Sequence, residues 1–245
     1  MDSGYYAACT ALMTQSQALE LVANNLANSS TTGFRAQHSI FRALLASNSG
    51  APMSALNQAA NQFGVLEGSR TDLTPGQLER TGNDLDLGIE GPGFFVVQTT
   101  TGRRLTRNGS FHTANHQLVT SDGSPVMGDT GVVQIVDGPI SISPDGTVSV
   151  NGAVAGKLKL VEIKPGGQIE SAGGAYYTAP QSAEVADAHS SIRQGMLESS
   201  NVNPVSATVE LITIQRQYDL MRRAMSIFDS QFNQTAAQEL PRVSS

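Results

Sequence analysis

Apolar positions along this chain change their period twice. Near the start, Tyr5, Leu12, Leu19 and Leu26 recur every seven residues, with Ala8 and Val22 each three residues after a member of that series. Such a repeat lays a narrow apolar stripe along a helix, the pattern of a seam that meets another helix. Thr10, Gln15, Gln17, Glu20, Asn24 and Asn25 fall on the remaining faces. Near the end, Leu211, Tyr218, Met225 and Phe232 repeat every seven residues, and Ile214, Met221 and Phe228 repeat at the same interval, offset by three. The two series interleave in steps of three and four, as the core positions of a coiled coil do. Asn203-Pro204 marks the start of this second helix, since proline suits a first helical turn.

Between the helical ends, from about Gly82 to Arg193, the period drops to that of short strands separated by turns. "GFFVVQ" (93–98), "RRLTR" (103–107), "QLVTS" (117–121), "VVQIV" (132–136), "TVSV" (147–150) and "KLKLVEI" (157–163) are the strands this predicts. "RNGSF" and "SPDGTV" carry the Asn-Gly and Asp-Gly pairs of tight hairpins, and "SDGSP" is a third turn. Strands that follow one another without helical segments imply an antiparallel sheet.

The pattern therefore predicts an α+β chain. Its N- and C-terminal helices pair as a coiled-coil-like stem, and an antiparallel all-β domain is inserted between them. The expected boundaries are an N-terminal stem segment at 1–46, a linker or extended loop at 47–80, the all-β domain at 81–197 and a C-terminal stem segment at 198–245. Leu12, Leu19, Val22 and Leu26 on the first helix, with Leu211, Ile214, Tyr218, Met221, Met225 and Phe228 on the second, are the expected assembly seam.

Composition narrows the function. The 245 residues are 39% hydrophobic and 15% charged, with a formal net charge of -6 and dispersed basic residues. Nucleic-acid binding is not expected, because it needs clustered Lys and Arg. No apolar run approaches the roughly 20 residues of a spanning helix, so membrane insertion is not expected either. The single Cys9 excludes an internal disulfide framework. The first residues lack a basic stretch followed by an apolar block, so a cleaved signal peptide is not expected.

Candidate chemistry is sparse, and no catalytic residue, cofactor or metal ligand is nominated. His112 and His116 are four residues apart, but a hairpin would place both on one strand face without a Cys or carboxylate cluster beside them. Asp84, Asp86 and Glu90 lie in "NDLDLGIEGPGFF", which lacks the regular oxygen ligands of a calcium loop. It reads as a polar strand followed by a turn at Gly91, Pro92 and Gly93. "ANNLANSSTTGF" reads as a helix fraying into a polar turn, with Gly33 ending it.

Three ordered blocks carry a resemblance. "LVANNLANSSTTGFRAQ" (21–37) resembles the N-terminal signature of the flagellar rod, hook and hook-filament-junction family of axial proteins, with Asn24, Asn25, Leu26, Asn28, Gly33 and Phe34 on the matching positions. Residues 81–128 are similar to the family's central block through "GPGFF", "TRNGSF" and "LVTSDG", and "QGMLESSNVNPVSATVELITIQRQYD" (194–219) to its C-terminal block. The matches cover most of the chain. The resemblance implies a non-enzymatic subunit of the flagellar rod, the drive shaft spanning the periplasm. It would be exported through the flagellar type III apparatus without signal cleavage, and would polymerise with copies of itself and neighbouring rod proteins through its terminal helices. The length, the start "MDSGYYAA" and "GFRAQ" resemble the proximal-rod member, with the distal-rod member as the alternative. Ser206-Ala207 stands where relatives often carry acidic residues before the helix. From the residues alone, a surface adhesin whose β domain is the recognition head, or an enzyme with an unrecognised site, remain the other classes.

Overall fold

A computed structural model of the chain describes residues 2–42, 65–136, 138–186 and 189–239. Two helices flank a large antiparallel β region: α1 spans Asp2–Ala27 and α2 spans Pro204–Glu239. Pro204 opens α2, where its missing N–H is no loss. The chain divides into two compact units, one of residues 1–24, 39–69 and 205–245, the other of 25–38 and 70–204. Residues 47–64 of the predicted linker lie outside the described residues. Its last part is strand instead, Val65–Thr71, which pairs with Gln37–Arg42 in a two-stranded ribbon.

The second unit is built on a six-stranded sheet in the order Glu170–Ser171, Tyr176–Thr178, Gly102–Thr106, Phe94–Thr99, Leu160–Ile163, Glu184–Ala186. The run "FFVV" explains the centre of this sheet. Phe95 and Val97 point into one apolar cluster, with Leu87, Phe111 and Ile192, whereas Phe94 and Val96 point into another, with Leu105, Val161 and Tyr177. Alternate residues of a strand face opposite sides, so a strand covered on both must be apolar throughout. Phe94 meets Tyr177 edge-on at 5.9 Å, and Phe95 meets Phe111 at 5.1 Å.

The chain enters and leaves this unit side by side. Leu78–Arg80 pairs with Met196–Glu198, and Leu87–Glu90 with Ser191–Gln194, both antiparallel. Leu87 and Ile89 are fully buried, so the segment expected as a polar strand is core; the turn at Gly91 follows it, with φ 130.

Several turns differ from expectation for identifiable reasons. "RNGSF" is not a hairpin. Gly109 is needed there for close approach, since a Cβ would lie 1.8 Å from the Leu87 carbonyl oxygen. Asn-Gly does close a hairpin at 151–152, where both residues have positive φ. His116 is not on a strand face: Asn115 and His116, at φ 51 and 59, form the two-residue turn joining Phe111–Ala114 to Gln117–Thr120. "KLKLVEI" breaks into two strands, because Leu158 turns inward to the core between Ala153–Lys157 and Leu160–Ile163. In "VVQIV" only Gly131–Val132 forms a ladder, while Val133 and Ile135 fill the core.

Candidate assembly surface

Helix α2 carries two apolar stripes. Ala207 is buried and Leu211, Ile214, Tyr218, Met221 and Met225 are half-buried, in steps of three and four. These are the heptad positions read from the sequence. Phe228 belongs to the same series, but its side chain lies outside the described residues. At roughly 100° per residue, Val205, Val209, Ile212, Leu220 and Ile227 fall on the opposite side of the helix. All five are exposed, Val205 at 72% and Leu220 at 65%. A helix apolar on two opposite sides has more apolar surface than one partner can cover.

Helix α1 is arranged differently from expectation. Ala11, Ala18, Val22 and Asn25 are its buried positions, whereas Leu12, Leu19 and Leu26 are half-buried. Ala11, Ala18 and Asn25 lie one residue ahead of the leucines, Val22 is on the line read from the sequence, and the leucines flank the buried positions. Gln15 Nε2 donates to Gln217 Oε1 at 3.2 Å, joining α1 to α2.

The second unit holds a buried polar clasp of its own. The Glu198 carboxylate lies 2.5 Å from Arg35 Nη2 and 3.1 Å from Arg107 Nη1, and accepts the Gly76 amide at 2.8 Å. The three side chains are buried, at 0%, 2% and 1% exposed for Arg35, Arg107 and Glu198. Arg107 Nη2 donates to the Gly91 carbonyl at 2.7 Å, and its guanidinium lies 4.8 Å above the Phe94 ring. Buried charges are tolerated when paired and hydrogen-bonded in this way.

Among the signature residues, Gly33 touches the clasp directly. Asn25 is buried rather than on an outer face: its amide donates to the Gln37 carbonyl at 2.8 Å and its Oδ1 accepts the Gln37 amide at 2.9 Å. Asn28 Oδ1 accepts from Thr31 Oγ1 at 3.2 Å, while Asn24 is exposed. Phe34 is buried. Gly33 does not end α1, which stops at Ala27. It allows close backbone approach, because a Cβ there would lie 2.3 Å from the Arg107 carbonyl carbon, and its φ is 68. Its amide donates to the Glu198 carbonyl at 2.7 Å. Asn201 Oδ1 accepts the Ala36 amide at 2.7 Å, and Tyr177 Oη accepts the Arg35 amide at 2.8 Å. Burial pushes the Tyr177 hydroxyl up to about 12.

Sequence reading missed Arg35, Arg107, Glu198, Tyr177 and Asn201. One trace of them was present: each of the three recognisable blocks contributes one member of the charged trio, in "GFRAQ", "TRNGSF" and "LESSN". No spacing rule links residues 163 positions apart. The clasp is closed to solvent and holds no reactive group, so its chemistry is positional. Among the described residues, no group of His, Cys, Asp or Glu could hold a metal ion. No described helix is long and apolar enough to cross a membrane.

Comparison with known proteins agrees block by block. Residues 6–35 match the flagella basal body rod protein family, residues 88–150 the flagellar hook protein FlgE/F/G D1 domain, and residues 193–238 the C-terminal part of flagellar basal body rod FlgEFG proteins. The chain is 38% identical to the flagellar basal-body rod protein FlgF of Caulobacter vibrioides, over 92% of this chain and 93% of the relative. It is 32% identical to FlgF of Salmonella typhimurium, covering 94% and 95%, and 30% identical to the flagellar basal-body rod protein FlgG of Buchnera aphidicola, covering 90% and 93%.

Proposed function

The chain belongs to the flagellar basal-body rod protein family, as a structural subunit of the rod, and we propose that it builds that rod by docking the exposed stripe of α2 on a neighbouring subunit. The observation that carries this is the second apolar face. The stripe of Leu211, Ile214, Tyr218, Met221 and Met225 is partly covered within the chain, in keeping with a paired-helix stem whose covered seam takes in Val22 with the flanking Leu12, Leu19 and Leu26. Val205, Val209, Ile212, Leu220 and Ile227 are left for another molecule. A contact between two different surfaces does not close on itself and propagates as a helical filament. Neighbours are then copies of this chain or other rod proteins, along a rod that crosses the periplasm, reached through the flagellar export apparatus. Relatives named FlgF match at 30–38% identity and relatives named FlgG at 30–31%, and the 38% match supports the proximal-rod position over the distal one.

The test replaces Ile212 with Asp in the parent bacterium. The variant subunit is expected at parental abundance and absent from isolated basal bodies, with motility lost. Normal incorporation of Ile212→Asp overturns the reading.

A further inference from the structure

The exposed stripe of α2 is interrupted by charge at regular places. Its positions recur every eleven residues: Val205, Arg216 and Ile227 form one series, Val209 and Leu220 a second, Ile212 and Arg223 a third. An eleven-residue repeat drifts oppositely to the heptad on the covered side, so the two faces suit different neighbours. No ion pair joins Arg216 or Arg223 to any described residue. Two exposed arginines in an otherwise apolar stripe call for an acid and a negative pole on whatever covers it.

Helix α1 offers both. Its sequence holds two charged residues, Asp2 and Glu20. Glu20 lies on an exposed line with Met13, Gln17, Asn24 and Ala27, and it pairs with no described cation. Ala27 ends the helix, and the last turn contains no basic residue to balance the dipole's negative end.

Resting on the reading of α2 as a docking face, we propose that its occupant is the exposed line of α1 from a second copy of this chain, running parallel, with Glu20 on Arg216. The seven-residue spacings then match at three points. Met13, seven before Glu20, lies on Val209, seven before Arg216. Ala27, seven after Glu20, lies opposite Arg223, which places a guanidinium at the negative end of α1. The contact is heterologous, so each copy uses a different face on each side and the array continues.

A charge swap tests the register in otherwise intact protein. Arg216→Glu and Glu20→Arg, each alone, are expected to lower the subunit content of isolated basal bodies roughly 10-fold, because attraction becomes repulsion at every repeat. The double variant, which restores opposite charges, is expected within about 3-fold of the parent. Rescue that fails, or a single reversal that assembles at the parental level, overturns the pairing. Helix content by circular dichroism reports folding. Should a reversal unfold the stem, the Arg216→Ala and Glu20→Ala cycle decides instead: the double must be no worse than either single. Ile212→Asp separates the two levels. If it blocks assembly while the swap gives no rescue, the pairing alone falls; if it assembles, the docking reading falls with it.

Discussion

The clasp of the second unit and the outer side of α2 handle their difficult groups in opposite ways. In the clasp, charges that are costly to bury are each given partners from the same chain: Glu198 receives Arg35, Arg107 and the Gly76 amide. On α2, apolar groups that are costly to expose are given none. The charges of one region are paired within the monomer, although Arg35 Nε and Nη1 are buried without a hydrogen-bond partner among the described residues, whereas the apolar groups of the other are left uncovered. A subunit that docks as proposed needs both: a fold that pairs its own buried charges and a face left for a neighbour.

The largest expected effect comes from opening the clasp. Glu198→Ala leaves two buried guanidinium groups without their carboxylate, and a broken buried pair costs about 3–5 kcal/mol. Denaturant unfolding of the full chain reads this directly. A loss below about 1 kcal/mol would mean that the clasp is solvated in solution and that the contrast drawn above is false.

Next comes Gly33→Ala. The added Cβ meets Arg107 backbone in a left-handed conformation, so the expected loss is about 2–4 kcal/mol by the same measurement. Were Gly33 merely the end of a fraying helix, alanine would cost well under half of that.

Tyr177→Phe is expected to cost about 1–3 kcal/mol, since the buried Arg35 amide loses its acceptor. It also carries a pH signature. Burial raises the hydroxyl from 10.0 to about 12, so the protonated form is favoured in the folded state. The resulting stabilisation is complete below pH 10 and lost as pH rises through 12. Tyr176, which donates to Asp122 Oδ1 at 2.5 Å, is raised to about 12 as well, first by burial and then by that hydrogen bond. Stability of the parent should therefore fall above pH 10, and each Tyr→Phe variant should remove part of the slope. An unchanged slope in both variants would place the alkaline loss elsewhere.

How much of this was legible beforehand follows from the range of the forces involved. The half-buried line of α2 is a local pattern, one helix face written every three to four residues, and its positions from Leu211 to Met225 follow the spacing. The sheet was legible where a run such as "FFVV" declares a strand buried on both sides. It was illegible at Tyr176–Thr178 and Ser191–Gln194, short segments whose strand character depends on partners found far along the chain. On α1, large leucines dominate the hydropathy pattern, but Leu12, Leu19 and Leu26 are half-buried while Ala11, Ala18 and Val22 are buried, because small side chains are covered more completely than large ones. Arg35, Arg107 and Glu198 look like ordinary surface charges in sequence. Their burial is a property of the fold, and nothing local announces it.

The smallest expected effect on stability is the one that bears most on the comparison. Ile214 and Ile212 are chemically identical, two residues apart, and on opposite sides of α2. Ile214→Asp puts a carboxylate into the covered stripe and should lower the stability of the monomer by about 1–3 kcal/mol, seen as reduced helix content and easier unfolding. Ile212→Asp faces solvent in the monomer, and its unfolding free energy should stay within about 0.5 kcal/mol of the parent. Assembly should respond to both, but for different reasons: the first weakens the element that docks, the second the docking surface itself. If Ile212→Asp destabilised the monomer as much as Ile214→Asp, its side of α2 would already be covered within one chain. The distinction between a finished face and an open one would then disappear.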